Sequence, residues 1–309
     1  MRRPVAAVDC GTNTIKLLVG TMPEVLVREA TVVRLGAGVD RTGRLSPEAL
    51  ERTFAEVERY AAILAEHGVR AEDVRFCATS ATRDASNAED FREGVRARLG
   101  VLPEVLSGAE EAALAYAGAV RELDAPAEPV LVVDVGGGST ELILGGAAPT
   151  AAHSMDVGSV RLHERHLHSD PPTAAEVAAC VADVDAALDA CPVDAVAART
   201  VVCVAGTATS VAAGVLGLPA YDRDAVDHAE LPVEAVHELT ERLLAMTVAE
   251  RLALPWMHPG RADVIGAGAL VLSRVLRRTA VAGVVASETD VLDGIAWSVA
   301  APAGVVPPA

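Results

Sequence analysis

Aromatic side chains are scarce in this chain, with three Phe, three Tyr and two Trp among 309 residues. Half of the chain is nonetheless apolar, at 51%, so a substantial core must be filled by Ala, Val and Leu. Long hydrophobic runs are missing as well. No stretch reaches the ~18 uncharged apolar residues of a membrane-spanning helix. Met1-Arg2-Arg3 leads straight into a β-rich segment, without the apolar stretch of a signal peptide. A cytoplasmic protein with no membrane partner is expected. Cys10, Cys77, Cys180, Cys191 and Cys203 are widely spaced, include no CxxC pair and read as reduced core or near-core thiols. Positive charge is short too: 26 Lys and Arg face 43 Asp and Glu, for a net charge of −17. That balance argues against general affinity for nucleic acid or acidic membranes. A polyanionic ligand would have to be held by a divalent metal, backbone amides and a few local cations.

What the chain does have is an internal echo. Pro4 to Gly20, PVAAVDCGTNTIKLLVG, returns 125 positions later as Pro129 to Gly145, PVLVVDVGGGSTELILG. Pro4/Pro129, Val5/Val130, Val8/Val133, Asp9/Asp134, Gly11/Gly136, Leu17/Leu142 and Gly20/Gly145 are identical pairs. Each copy reads as a strand, a tight Gly/Ser/Thr turn after an Asp, and a returning strand. Turns of this kind bring backbone N–H groups close to a ligand, and two of them facing each other suit the two sides of a phosphate chain. One such motif would be an ordinary hairpin; two at a fixed offset with matching flanks point to a duplicated domain. The length fits two domains of ~150 residues.

Between and after the echoes, the pattern alternates. A third strand is expected over Val25 to Leu35, a loop over Gly36 to Arg44, and a helix from Ser46-Pro47-Glu48, where Ser caps and Pro fits the first turn. Strands at Val74 to Thr79 and Leu102 to Leu106 and helices at Asn87 to Leu99 and Ala109 to Leu123 follow. Asp124 to Pro129 has the composition of a linker. The boundary is placed there, giving domains of residues 1–124 and 125–309, with the last helix available to pack back on the first domain. In the second half, strands are expected at Ala151 to Val157, Thr200 to Ala205 and Gly283 to Ala286. Helices are expected at Ser159 to His166, Thr173 to Ala190, Gly206 to Leu216, Val233 to Met246, Ala262 to Arg278 and Asp290 to Ala300. The layout is α/β.

Four segments carry candidate chemistry: Asp9 to Thr14; Asp134 to Glu141; Gly206 to Thr209 at a strand-to-helix junction; and Ser107 to Ala112, whose Glu110 and Glu111 sit between a strand and a helix. His163, His166 and His168 form an HxxHxH cluster, but with no cysteine nearby they read as a solvated helix end rather than a zinc site. Arg161 and Arg165 read as the solvated face of the same helix, with contact to a distal phosphate as the alternative. Lys16 lies in a strand rather than a P-loop, so a scaffold role is expected.

The combination DCGTNTIKLLVG, ATSATRDASN, SGAEEA, DVGGGSTELILGG and AGTATS, in that order, resembles the Ppx/GppA group of exopolyphosphatases and guanosine pentaphosphate phosphohydrolases, in a short two-domain form. The resemblance spans essentially the whole chain. It implies two duplicated ribonuclease H-like, actin-like domains of the superfamily that holds acetate and sugar kinases, heat-shock chaperones and actin. It also implies release of terminal orthophosphate from inorganic polyphosphate by water, with Mg²⁺ or alternatively Mn²⁺, and guanosine penta- or tetraphosphate as a further substrate or inhibitor. A homodimer is a family-level expectation.

Matched position by position, the resemblance implies Glu111 as catalytic base and Asp134 as the Mg²⁺-associated carboxylate. Glu141 would assist metal or water, although strand alternation leaves its direction open. Thr12, Asn13 and Thr14 from one loop, Gly136, Gly137, Gly138, Ser139 and Thr140 from the other, and Gly206 and Thr207 would donate to phosphate oxygens. Arg83 would contribute its guanidinium fork. Glu110 and Glu111 as an isolated pair would simply favour a helix N-terminus, and Asp9 divides between metal support and turn stabilisation. An ATP-dependent kinase of the same fold and a non-catalytic guanosine tetra- or pentaphosphate sensor are the competing readings.

Overall fold

The computed structural model describes residues 3–300. The first strands are β1 (Val5–Cys10), β2 (Thr14–Thr21) and β3 (Glu24–Val32), followed by β4 (Val74–Ala78) and the two-residue β5 (Glu104–Val105). They form one sheet in the order β3-β2-β1-β4-β5, with β1, β2 and β3 antiparallel and β1, β4 and β5 parallel. Further along come β6 (Val130–Val135), β7 (Thr140–Gly145), β8 (Pro149–Met155), β9 (Thr200–Val204), β10 (Glu230–Pro232) and β11 (Gly283–Ala286). The second sheet is ordered β10-β11-β9-β6-β7-β8 and repeats the first, with β10 added antiparallel at the edge.

The repeat holds to the level of single hydrogen bonds. In the first turn Gly11 N donates to Thr14 O at 3.0 Å, and in the second Gly136 N donates to Ser139 O at 3.0 Å. The register of β2 on β3 slips between Val19 and Gly20, and that of β7 on β8 between Leu144 and Gly145, which are the same positions of the echo. Two α/β units with a common strand order and a common bulge are the duplicated fold that the sequence implies. Every residue of β1 and β6 is buried, as expected for central strands covered on both faces. An Asp set within such a strand therefore lies next to a dry core.

The first compact unit takes in the chain up to Gly118 and resumes at Val291; the second runs from Ala119 to Asp290. The segment 124–129 falls within the second unit. In the first, Val57, Tyr60 and Leu64 of the helix Pro47–Glu66 pack with Phe76, Phe91 and Val95 on one side of the sheet. Val291, Leu292, Ile295 and Ala296 of the helix Val291–Ala300 join Ala7, Leu18 and Leu106 on the other. That helix is pinned by an ion pair between Asp293 and Arg28 of β3. In the second unit, the helix Ile265–Leu276 is buried along almost its whole length and lies within the main core, with the helices Val233–Ala245 and Ala174–Ala190 packed against it.

Boundaries follow local chemistry. Ser46 accepts from Ala49 N with Pro47 at the first helical position, and Thr173 forms a reciprocal capping box with Glu176. Short helices at Ser80–Asp84, Arg223–Val226 and Val248–Leu252, and the strand β10, were not expected from periodicity. Val39–Thr42 forms one helical turn inside the expected 36–44 loop. Among the described residues no helix is long and apolar enough to cross a membrane. The Pro/Ala/Gly tail after Ala301 lies outside the described residues.

Candidate active site

In the first unit, four strands and turns bring together residues far apart in sequence. The β1–β2 turn is buttressed from outside: Gly36 N donates to Thr12 O at 2.8 Å, and Asn13 O accepts from Val33 N and Arg34 N. Thr12 is buried with its hydroxyl 2.8 Å from that of Ser80. A Cβ at Gly36 would stand 2.3 Å from the Thr12 methyl, so only glycine permits this approach. Asn13 and Thr14 are half-buried. Asp9 lies at the end of β1, and its Oδ2 is 3.2 Å from Nζ of Lys16, the residue directly opposite on β2.

β4 ends beside β1, and the helix Ser80–Asp84 that follows it carries Arg83. Arg83 Nη1 donates to Leu106 O at 3.0 Å and to Glu111 Oε2 at 3.1 Å. Glu111 sits in the first turn of the helix Gly108–Val120 and is 7% exposed. The adjacent glutamate does something else. Glu110 is exposed and forms a capping box with Ser107, accepting from Ser107 N at 2.9 Å while its own N–H reaches Ser107 Oγ at 3.2 Å. The two readings of the Glu pair are thus divided between its members.

Burial drives the Glu111 carboxyl upward, opposed by the charge and hydrogen bond of Arg83, with Asp9 adding repulsion and Thr79 a lowering hydrogen bond; it ends at about 7. A carboxyl balanced there is half-ionised near neutrality, which suits a proton acceptor.

In the second unit, the β6–β7 turn rests on the start of the helix Ser159–His166. Ser159 N donates to Gly136 O at 2.9 Å, and Val160 N and Arg161 N donate to Gly137 O at 2.8 and 3.1 Å. Arg161 Nε donates to Gly138 O at 2.7 Å. Arg161 is half-buried beneath the loop and not on the solvated face expected of it, whereas Arg165 is exposed and pairs with Asp183. His166 pairs with the same Asp183 at 2.8 Å. Ser139 is buried, and Thr140 is fully so, its hydroxyl donating to Val157 O at 2.7 Å. Thr140 is therefore a strut that ties β7 to the segment entering the helix, and its hydroxyl proton is directed away from the role of phosphate donor foreseen for it.

Asp134 and Glu141 are directly opposite on β6 and β7 and so share a face, both almost completely buried. Ser154 Oγ of β8 donates to Glu141 Oε1 at 2.7 Å. Across β9, the chain turns into the helix Ala205–Val215 through Ala205 at φ 65°, a left-handed conformation unusual for a residue with a Cβ. Gly206 O accepts from Ser210 Oγ at 2.6 Å and from Arg261 Nη1 at 3.3 Å. Thr207 is buried against the helix Ile265–Leu276, where a Cβ at Gly268 would stand 2.7 Å from its Oγ1.

A chain with this geometry matches the Ppx/GppA phosphatase family model over residues 14–301. It belongs to that family. Exopolyphosphatase 2 of Mycobacterium tuberculosis is 46% identical over 317 residues, covering 96% of this chain and 98% of the relative. The crystal structure of an exopolyphosphatase-like protein is 45% identical, covers 95% of this chain and 98% of its own, and superimposes with a TM-score of 0.92. An exopolyphosphatase from Cytophaga hutchinsonii is 26% identical, with 99% and 100% of the two chains covered and a TM-score of 0.88.

Within this family member, three residues that the motifs did not single out support the loops. Ser80 holds Thr12, Thr79 bonds Glu111, and Arg261 lies under Gly206 with a second contact to Ser210 Oγ at 3.3 Å. Ser80 and Thr79 stand inside the ATSATRDASN stretch and could have been read from it. Arg261 lies between two helices, in a segment with no motif. Among the described residues no group of three or more His, Cys, Asp or Glu is gathered as a metal cage. The Asp134 and Glu141 carboxylates still fit a hard cation, because Mg²⁺ is commonly held through one or two carboxylates, with water and substrate phosphates completing its shell. Asp9 carries the Lys16 ammonium on one oxygen.

Proposed function

We propose that this chain is an exopolyphosphatase that releases orthophosphate from the end of inorganic polyphosphate by attack of water. The observation that carries the reading is Glu111: a buried carboxyl balanced near neutrality beside an arginine, in a chain of the Ppx/GppA phosphatase family. Its likeness to exopolyphosphatase 2 over nearly the full length of both supports the choice of polyphosphate.

Glu111 acts as general base, taking a proton from water as its oxygen bonds to the terminal phosphorus and the bridging P–O bond breaks. Arg83 holds the Glu111 carboxylate in place and offers its remaining donors to the terminal phosphate. In the first unit Thr12, Asn13 and Thr14 are assigned to phosphate oxygens, and in the second unit, taken by itself, Gly136, Gly137, Gly138, Ser139, Gly206 and Thr207 are assigned likewise, largely through backbone N–H groups. Asp134 and Glu141 are assigned to hold Mg²⁺, which when bound neutralises charge on the phosphoryl oxygens. Asp9 and Lys16 keep the first turn in shape, with metal support from Asp9 secondary.

Guanosine pentaphosphate ends in the same phosphoanhydride and is a second substrate on this reading. A net charge of −17 repels long polyanions until salt screens it over a Debye length of ~8 Å at physiological ionic strength, so short chains are the preferred substrate. The test is orthophosphate release, with Mg²⁺ alone, from short polyphosphate, long polyphosphate and guanosine pentaphosphate in parallel. Release from short polyphosphate supports the proposal. Turnover that needs ATP and an acceptor would make the chain a kinase, and none from any substrate would overturn catalysis.

A further inference from the structure

The carbonyls of the β6–β7 turn all face one body. Gly136 O accepts from Ser159 N, Gly137 O from Val160 N and Arg161 N, and Gly138 O from Arg161 Nε at 2.7 Å. Every donor belongs to the first turn of the helix Ser159–His166. The approach is close: a Cβ at Gly158, which precedes that helix, would stand 2.6 Å from both atoms of the Gly137 carbonyl. In a planar trans peptide the N–H points opposite to the C=O. Carbonyls turned towards the helix therefore turn the Gly137, Gly138 and Ser139 N–H groups away from it, to the far side of the turn.

None of these N–H groups donates to a backbone carbonyl among the described residues, although Gly138 and Ser139 are buried. A buried N–H without an acceptor is costly, and successive N–H groups turned to one side form a nest that an anion satisfies. The helix adds to this from behind. Its first N–H groups carry the positive end of the helix dipole, and they bond to the carbonyls of the turn. Each bonded carbonyl polarises its own peptide, which strengthens the N–H on the far side as a donor. Arg161 extends the same arrangement by one peptide: no backbone donor reaches Gly138 O among the described residues, and the guanidinium does. The Ser139 N–H thus owes its direction to a side chain, and the Gly137 and Gly138 N–H groups owe theirs to helix backbone.

We infer that Arg161 is a positioning residue for phosphate binding: by holding Gly138 O it aims the Ser139 N–H at a phosphate oxygen. The inference rests on the proposed assignment of Gly137, Gly138 and Ser139 to phosphate. Arg161 acts through the peptide and needs no contact with the ligand, unlike the distal-phosphate role weighed for it on sequence. A cation in this place also favours anions at longer range, so direction and charge have to be separated by experiment.

The test uses the full chain with Mg²⁺ and imidodiphosphate, a phosphate pair whose P–N–P bridge resists hydrolysis. Binding is followed by calorimetry and by the NMR signals of the Gly137, Gly138 and Ser139 amide protons. In the parent chain these amides should shift downfield as the probe binds. Arg161→Met should weaken binding by about tenfold, the loss of one charge-assisted hydrogen bond. It should also lose the Ser139 shift while the Gly137 shift persists, since Ser159 N still holds Gly136 O. The KM for short polyphosphate should rise by a similar factor, with kcat within about threefold of the parent. Should Arg161→Met fail to fold, Arg161→Lys decides: a smaller Ser139 shift supports the inference and an unchanged one overturns it. A lower melting temperature in Arg161→Met with binding, KM and the Ser139 shift unchanged would make the arginine a brace only and overturn the inference, leaving the polyphosphate reading standing. Weaker binding with every shift intact would show charge alone at work and overturn it as well. No binding of the probe to the parent chain would overturn the phosphate assignment of the turn, and the inference with it.

Discussion

The two halves of the chain hold one motif in the same turn and strand register and fill one position differently. Asp9 faces Lys16 across β1 and β2; Asp134 faces Glu141 across β6 and β7. Turn, register and bulge agree between the copies. The first pair is a salt bridge of 3.2 Å and is largely neutral. The second places two carboxylates on one face inside the protein, where Glu141 also accepts from Ser154. The difference fits the division of labour proposed above, with the first turn as a scaffold beside Glu111 and the second as the proposed place for a metal.

The largest effect expected concerns Glu111, the base proposed for the first half. Glu111→Gln keeps shape and removes the proton acceptor, so turnover should fall by ~10²–10⁴-fold while binding of a short polyphosphate persists. Turnover within about threefold of the parent, ~0.6 kcal/mol of barrier, would remove Glu111 from the chemistry.

Next is the scaffold pair itself. Lys16→Met leaves the buried Asp9 without its ammonium and should cost on the order of 2 kcal/mol in stability, below the figure for fully buried pairs because Lys16 retains some exposure. Glu141→Gln, which keeps shape and can still accept from Ser154, should cost less than this, measured as the metal-free melting temperature. Equal losses in both variants would erase the contrast between the halves.

A smaller shift tests the electrostatics of Glu111. The base must be ionised, so kcat/KM should rise tenfold per pH unit below about 7 and level off above it. Arg83 lowers the Glu111 value; Arg83→Met should move this limb upward by about one unit, and Arg83→Lys by less. The sign for stability is opposite. Because the folded value lies above the ordinary 4.5, the folded state holds the extra proton between about 4.5 and 7, and its stability falls as pH rises through that window. Glu111→Gln should lack this slope in denaturant unfolding. The smallest effect belongs to Thr140→Val, which deletes the bond to Val157 O and should cost ~1 kcal/mol with little change in KM. A large rise in KM instead would return Thr140 to the phosphate donors.

Much of this was legible in the chain because the signals were local. The echo located both turns, and the Ser46-Pro47 start and the Gly283–Ala286 strand follow from residue chemistry alone. Glu111 could be chosen through the resemblance, yet nothing in the run SGAEEA told that Glu110 would cap and Glu111 would point inward; the Ser107 hydroxyl and Arg83 decide it. Arg161 departs from the expected solvated face for a related reason. A helix of eight residues gives too few turns to define a polar face, and its first turn is covered by a loop from 23 positions earlier in the chain. Arg261 lies outside every motif, and only packing makes it a neighbour of Gly206. The Val248–Leu252 helix was detectable, since Thr247 and Glu250 carry the capping-box spacing, though its five residues are too few for periodicity.

The division of labour is tested most directly by a Mg²⁺ titration of orthophosphate release from short polyphosphate, run side by side on the parent chain, Glu141→Gln and Lys16→Met at one pH and below their melting temperatures. The account predicts that Glu141→Gln raises the half-saturating Mg²⁺ concentration by about tenfold or more, ~1.4 kcal/mol of metal binding, while Lys16→Met stays within about threefold of the parent. An unchanged Mg²⁺ requirement in Glu141→Gln, or the same shift in both variants, would contradict it.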